Sequence, residues 1–392
     1  MQSFEWVDFQ FPTRTFVQRN STHNMGSHIR SMGERPFVFN IRDEVRSEDE
    51  YQIILTGLKK QLAGCIVYDE FHSLPDYDQM DSAAYFLRRS GADMIVAVGG
   101  RQTFQVARSL AMLCKNEVYA GELKEKQFPF KKPPLPIICI PTGLTVGEES
   151  APDMFGYNAT GAPGMSAEFF YHRDHRLFPE AIFVDPNLVA NSSRNELVRQ
   201  GMAVIAASVE SILSRKSNEI TGALSLKAIE LVVRSINTLM IEQTNQGARY
   251  NLAVSSVVCG MACSTTSLGL CYSIATAVNL VTGIDFYSTM NILLPHIMEY
   301  NLTTSAAKYV QIAKALEQDI HDISIIEAAI KAVEGVRKLY LDLNVTQRLS
   351  DFEIAKTTLG EIAAVAIEHP LVQNTPREMD QNEVETILIT AY

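Results

Sequence analysis

The sequence has little histidine and no concentration of positive charge. Only eight of its 392 residues are histidine, and none lies between His175 and His296, so this stretch lacks the imidazole ligands that transition-metal sites commonly use. Acidic residues outnumber basic ones by 45 to 34, which gives a formal net charge of −11. Proteins that bind nucleic acid need a clustered cationic face, and the sequence has no basic run of that kind. It therefore argues against a nucleic-acid partner.

Long apolar runs and paired cysteines are also missing. No segment approaches the roughly 20 consecutive apolar residues of a membrane-spanning helix. The N-terminus, MQSFEWVDFQFPTR, lacks the cationic start and apolar core of a signal peptide. The six cysteines form no CxxC pair, which favours reduced core thiols over disulfides. We therefore expect a cytoplasmic protein without membrane contact.

What the sequence does contain is the material for two domains. With 46% hydrophobic and 20% charged residues, the chain can bury a sizeable core, and its length exceeds what one core usually organises. Up to residue 186 the sequence contains short apolar runs with strand character, namely PFVFNI, GCIVYDE, DMIVAVGG, LPIICIPT and AIFVDP. The first three are separated by segments of helical periodicity. This pattern predicts an α/β domain with a doubly wound, mainly parallel sheet over residues 1–186.

The second half of the sequence has a helical pattern. After VDPNL the strand pattern stops, and long helical segments such as SRNELVRQGMAVIAASVESILSRK continue to the C-terminus. Ser193 and Glu196 have the spacing of a capping box, which predicts that the first long helix starts there. We therefore predict an all-helical domain over residues 187–392. In the first of these helices Ala203 and Ala207 lie one turn apart and leave one face bare.

A glycine turn in the first half is a candidate anion site. DMIVAVGGRQTFQVARSLA predicts a strand, a tight turn at Gly99 and Gly100, and a helix. Backbone N–H groups and the dipole at such a helix start can bind a phosphate. The simpler interpretation is that the two glycines only permit a tight turn. The turn by itself does not decide between these interpretations.

Nearly the whole chain carries motifs that resemble one known family. In order, they are FPTR, GADMIVAVGG, LPIICIPT, FVDPNL, GARYNLAVSSVVCGMACSTTSLGL and NILLPHIMEYN. They resemble motifs of the iron-containing alcohol dehydrogenases, whose fold is related to that of dehydroquinate synthase. The resemblance implies a dehydroquinate synthase-like fold, NAD(P)-dependent interconversion of alcohols and carbonyls, and a divalent iron or zinc held by one aspartate and three histidines of the helical domain. It also implies a homodimer or a larger homo-oligomer.

The resemblance assigns the four metal-ligand positions to residues that are poor ligands. The aspartate position is Ala203 and the first histidine position is Ala207, while the other two histidine positions are Thr276 and Phe286. Alanine and phenylalanine offer no lone pair, and one threonine hydroxyl cannot hold a borderline transition metal. We therefore expect no metal site. Tyr272, at a position where the family usually has a further histidine, is a weak candidate for a general acid, and the more ordinary interpretation is a core tyrosine with a bonded hydroxyl.

The cofactor-binding loops are altered but not erased. By resemblance, Gly99, Gly100, Gln102 and Thr142 are the candidate residues for binding NAD or NADP. Arg101 replaces a third glycine of the family motif, which would allow close approach of a diphosphate. Its side chain could either fill the pocket or bind a phosphate in a bidentate manner. We therefore expect weak or absent NAD(P) binding.

These observations support two main hypotheses, and a third is less favoured. The favoured one is a divergent, non-catalytic family member that serves as a binding or regulatory protein, with protein partners left open. The alternative is a metal-independent NAD(P)-dependent oxidoreductase, or another enzyme acting on a nucleotide or phosphorylated ligand in a cleft between the two domains, with Tyr272 as acid. Ordinary metal-dependent alcohol dehydrogenase activity would require that the four ligand positions are assigned wrongly.

Overall fold

The fold is taken from a computed structural model, which describes residues 7–124, 128–158, 168–345 and 348–392. The chain divides into two compact units. One unit contains residues 12–197 and 244–260. The other contains residues 198–243 and 261–392 together with a short N-terminal stretch that ends at Phe11.

The first unit is built on a six-stranded parallel sheet. The sheet order is β1-β8-β5-β4-β2-β3, and β6 and β7 form a separate antiparallel pair. The strands are β1 (Arg14–Val17), β2 (Pro36–Ile41), β3 (Ile66–Phe71), β4 (Met94–Gly99), β5 (Ile137–Pro141), β6 (Asp153–Asn158), β7 (Glu168–Arg173) and β8 (Ala181–Val184). The predicted α/β domain with a mainly parallel sheet is confirmed. The sequence did not predict β1 or the β6–β7 pair.

The central strands of the sheet are buried on both faces. Every residue of β2, β4 and β5 is buried, as expected for parallel strands in a doubly wound sheet. The helices of this part are α1 (Met25–Ile29), α2 (Glu48–Gln61), α3 (Tyr77–Ser90), α4 (Arg101–Asn116) and α5 (Pro186–Ala190). A capping box at Asp76 starts α3, and Gly91, with φ of +71°, ends it. Gly91 adopts the left-handed conformation that glycine accepts without strain.

The rest of the chain is helical. Its helices are α6 (Arg194–Leu213), α7 (Glu219–Ile241), α8 (Gln246–Thr266), α9 (Leu270–Thr282), α10 (Phe286–Asn301), α11 (Ala306–Ala315), α12 (Ile325–Asp342), α13 (Leu359–Glu368) and α14 (Gln381–Thr390). Within the described ranges no strand follows Val184, so the predicted helical half is confirmed. The capping box is confirmed as well, since Glu196 N–H donates to Ser193 Oγ at 3.3 Å and Ser193 N–H donates to Glu196 Oε2 at 2.9 Å.

Two further features bear on the expectations from composition. All six cysteines are free thiols, and all but Cys65 are buried. Among the described residues, no single helix is both long and apolar enough to cross a membrane. The α8 and α9 helices meet that requirement only when taken together across a bend of 103°.

Candidate functional site

The glycine turn lies where three strands of the sheet end side by side. In the β2–β4 pair Phe39 is opposite Ala97, and in the β4–β5 pair Gly99 is opposite Pro141. The segments that follow β2, β4 and β5 therefore meet at one edge of the sheet. Gly99 is tightly enclosed there, because a Cβ at this position would lie 2.3 Å from Thr103 Oγ1. This edge is where open α/β sheets commonly bind ligands.

The start of α4 already holds an anion, and that anion is the carboxylate of Glu44. Glu44 Oε2 accepts hydrogen bonds from the backbone N–H groups of Gly100 (3.1 Å) and Thr103 (2.8 Å). Its other oxygen, Oε1, accepts one from the N–H of Gln102 at 3.1 Å. The first N–H groups of a helix have no partner within the helix, and here one side chain binds three of them. The helix dipole further favours a negative charge at this end.

Thr142 joins the same cluster from the end of β5. Its backbone N–H donates to the carbonyl of Gly99 at 2.9 Å, and its hydroxyl donates to the backbone carbonyl of Glu44. The structure thus brings together all four residues that the sequence predicted to bind a cofactor, and it centres them on Glu44. Their role in cofactor binding stays a prediction.

Arg101 lies along its own helix. Its side chain is buried, with 4% of its surface exposed, and its Nη1 donates to Gln105 Oε1 at 3.2 Å. This contact, one turn further along α4, agrees better with the interpretation in which Arg101 fills space than with a bidentate phosphate ligand.

A second buried carboxylate lies in the same unit, in the loop after β5. Glu149 is fully buried, and it accepts hydrogen bonds from the hydroxyls of Thr145 and Ser256. The Ser256 hydroxyl in turn accepts one from Thr145 N–H at 3.2 Å. Burial raises the pKa of the Glu149 carboxyl, and the two hydroxyls partly oppose this shift. This network joins the loop to α8.

The four positions that the resemblance assigns to metal ligands lie in the helical unit. Ala203 and Ala207 are on α6, Thr276 is on α9 and Phe286 is the first residue of α10. All four are buried, with at most 3% of their surface exposed. The backbone carbonyl of Ala207 accepts a weak hydrogen bond from Cys263 Sγ at 3.9 Å.

These residues do not fit a divalent metal. Methyl groups and a phenyl ring supply no lone pair, and the Thr276 hydroxyl, which is buried without a hydrogen-bond partner, is the one side-chain oxygen among the four. In the part of the chain that the structure describes, no three His, Cys, Asp or Glu side chains are grouped so that they could share a metal ion. No step that requires a metal can be assigned to these residues.

Tyr272, the weak candidate acid, is packed among aromatic rings. Only 2% of it is exposed, and its ring centroid lies 5.1 Å from that of Phe286 and 5.9 Å from that of His369. Both contacts are edge-on, the geometry that aromatic pairs favour. The burial agrees better with a core tyrosine than with an acid that meets a substrate.

The start of α9 is bound by a carboxylate as well. Glu210 of α6 is buried and accepts hydrogen bonds from the N–H groups of Gly269, Cys271 and Tyr272, at 3.3, 2.5 and 3.2 Å. Burial raises the pKa of Glu210 to about 7, against the opposing effect of these three donors. Sequence reasoning missed both Glu210 and Glu44. For Glu44 one signal was available, because an acidic residue soon after β2 must lie near the end of a neighbouring strand.

Comparison with known structures defines the class of fold. The chain superposes on the crystal structure of a 1,3-propanediol oxidoreductase with a TM-score of 0.91 and 22% identity, covering 99% of this chain and 100% of that one. It also superposes on the sulfoacetaldehyde reductase of Bifidobacterium kashiwanohense, solved in complex with NAD+, with a TM-score of 0.81 and 18% identity over 99% of both chains. At this level of identity the likeness establishes the fold.

Sequence comparison defines the family. A model of iron-containing alcohol dehydrogenase matches residues 12–186, and a model of the C-terminal part of the Fe-containing alcohol dehydrogenase family matches residues 197–392. The chain therefore belongs to the iron-containing alcohol dehydrogenase family. It is 24% identical to the 1,3-propanediol dehydrogenase of Klebsiella pneumoniae over 398 residues, which cover 100% of both chains.

Proposed function

We propose that this protein is a member of the family that has lost metal-dependent interconversion of alcohols and carbonyls and acts as a non-catalytic binding or regulatory protein. The observation that carries the proposal is the set of residues at the four ligand positions. Two alanines, a phenylalanine and a threonine are buried there, and none of them supplies a carboxylate or an imidazole.

The chemical reason is that oxidation of an alcohol proceeds through its alkoxide, whose negative charge must be stabilised. Removal of hydride from an alcohol is fast only when the hydroxyl proton has left or is leaving, and a bound metal stabilises the resulting negative charge as a Lewis acid. Neither an alanine methyl group nor a phenyl ring can stabilise that charge. Tyr272 does not replace the metal in this role, because it is buried against Phe286 and His369.

We further propose that NAD(P) binds weakly or not at all and that the protein assembles as a homodimer or a larger homo-oligomer. Occupation of the α4 start by Glu44 supports the weak nucleotide binding. In its binding or regulatory role, the protein would then bind another ligand. The candidates are a nucleotide or phosphorylated small molecule, and a protein partner.

Metal analysis combined with an activity assay tests the proposal. The protein is expressed with added Fe2+ or Zn2+, and its metal content and its NAD(P)-dependent oxidation of 1,3-propanediol are measured beside the Klebsiella pneumoniae relative as positive control. We expect no stoichiometric metal and no turnover above background. About one tightly bound metal per chain together with turnover would contradict the proposal. Metal-free turnover that falls in Tyr272→Phe would instead support the metal-independent oxidoreductase.

A further inference from the structure

We infer that Glu44 is an autoinhibitory residue, whose carboxylate occupies the anion-binding start of α4 so that a nucleotide phosphate binds there only after Glu44 has left. This inference rests on the weak NAD(P) binding proposed above and gives it a specific cause. It also implies that the backbone N–H groups beneath Glu44 can be opened to a phosphate by a single substitution.

The hydrogen bonds of Glu44 are those that a phosphate at this position would need. A phosphate at a helix start after a strand and a glycine turn is bound by the free backbone N–H groups of the first turn. Here the N–H groups of Gly100, Gln102 and Thr103 all donate to Glu44. An arriving phosphate therefore meets donors that are already engaged and a negative charge that repels it.

The close fit of Glu44 depends on the absence of a side chain at Gly100. A Cβ at this position would lie 2.9 Å from both Cδ and Oε1 of Glu44, which is closer than a Cβ normally approaches a side-chain atom. Glycine therefore allows the carboxylate to sit against the backbone of the turn. The same bare backbone is what a diphosphate requires when it binds a glycine turn.

The backbone around Glu44 is fixed on two sides, which keeps the carboxylate in place. The short turn Arg42–Glu44 follows β2 directly. The Thr142 hydroxyl donates to the carbonyl of Glu44, and the N–H of Asp43 donates to the carbonyl of His72 at 3.3 Å. Because Glu44 belongs to the same chain, it competes with any ligand as an intramolecular anion whose effective concentration does not fall on dilution.

This competition lowers the apparent affinity without destroying the site. If only a small fraction of molecules has Glu44 displaced, the apparent dissociation constant for a phosphate ligand rises by the inverse of that fraction. An open fraction of about one in ten to one in a hundred corresponds to an affinity lowered about 10- to 100-fold. Removal of the carboxylate should restore that factor.

Calorimetric titration with ADP and NAD+ tests the inference in four forms of the full chain: wild type, Glu44→Ala, Glu44→Gln and Asp43→Ala. We expect Glu44→Ala to bind ADP at least about tenfold more tightly than wild type. Glu44→Gln should fall between the two, because its amide oxygen still accepts hydrogen bonds but carries no charge. Asp43→Ala removes the same charge from the neighbouring residue and should bind as wild type does.

A second measurement covers the case in which Glu44→Ala does not fold. Amide hydrogen exchange at Gly100, Gln102 and Thr103 should be faster in Glu44→Gln than in wild type and slow again on addition of ADP. Adding Gly100→Val to an opened variant should abolish ADP binding, since the valine side chain would cover the N–H groups near the phosphate.

The outcomes separate this inference from the proposed function. Equal ADP affinity in wild type and both Glu44 variants would overturn the autoinhibitory role of Glu44, and so would an equal gain in Asp43→Ala, which would indicate general charge repulsion. Micromolar binding of NAD+ by the wild type would instead contradict the proposed weak cofactor binding. The autoinhibitory role of Glu44 would still be decided by the ratio of the ADP affinities of wild type and Glu44→Ala.

Discussion

The ring of Phe286 meets the ring of Tyr272 edge-on, with 5.1 Å between the centroids and 73° between the planes. Phe286 holds a position at which the family resemblance implies a histidine ligand, and Tyr272 lies one helical turn before Thr276, a second such position. An aromatic contact therefore lies where the chemistry of the family would need imidazole nitrogens. Contacts of this kind contribute about 0.5–1.5 kcal/mol beyond the area they bury.

Restoration of the four ligands should create a metal site. We expect the variant Ala203→Asp, Ala207→His, Thr276→His and Phe286→His to bind about one Zn2+ per chain, because the backbone of the family fold is retained. The new buried polar groups should destabilise the metal-free form, and metal should raise its Tm in proportion to binding. Metal content after gel filtration and Tm with and without Zn2+ are the measurements.

The matched control places Asn at Ala203 and Gln at the other three positions. These side chains are polar and of similar size but are poor zinc ligands, so we expect a lowered Tm and no metal response. A folded restoration variant that binds no metal would refute the assignment of the four positions. A metal response in the control would refute it equally.

The parts of the fold that could be predicted from the sequence are those with a local pattern. Parallel strands buried on both faces must be continuous apolar runs, so β2, β4 and β5 stood out. By contrast, β1 has only four residues. The strands β6 (DMFGYN) and β7 (EFFYHR) mix polar with apolar residues, although the first four residues of β6 are buried. Their pairing depends on partners elsewhere in the chain, which no local pattern encodes.

Only the part of the candidate site that has a local sequence pattern could be predicted. Gly99 and Gly100 were found because a strand, a turn and a helix follow one another in the sequence. Glu44 was missed because its hydrogen-bond donors lie 56 to 59 residues further along the chain. Only the pairing of β2 with β4 brings them together. Glu210 was missed likewise, since Gly269 lies 59 residues away.

The stability of the protein should depend on pH through Glu210. Its folded pKa of about 7 lies above the ordinary 4.5 of glutamate, so the folded state binds this proton more tightly than the unfolded state does. The contribution is therefore fully present below about pH 4.5 and is lost as the pH rises to about 7. We expect the free energy of unfolding to fall by up to about 3 kcal/mol over this window, measured by denaturant titration at each pH.

Glu210→Gln isolates this effect, because glutamine keeps the shape of the side chain but does not titrate. As the pH rises from 4.5 to 7, the free energy of unfolding of the wild type should fall relative to that of Glu210→Gln. Glu219 is exposed at the start of α7, so Glu219→Gln serves as the control and should give a much smaller change. A difference between wild type and Glu210→Gln that stays constant over the window would show that Glu210 does not titrate there.

Gly147 and Gly260 bring two backbone segments of the α/β unit into close contact. Gly147 has a φ of +87°, and a Cβ on it would lie 2.3 Å from the Cα of Gly260. A residue with a side chain would be strained at this positive φ. Its Cβ would also clash with backbone atoms, which cannot turn away. We expect Gly147→Ala to lower the free energy of unfolding by about 2–4 kcal/mol.

Gly64→Ala is the control, because a Cβ at Gly64 meets no atom within 4 Å, and its effect should stay within about 0.5 kcal/mol. Equal Tm values for the two variants would contradict the close approach of Gly147 to Gly260.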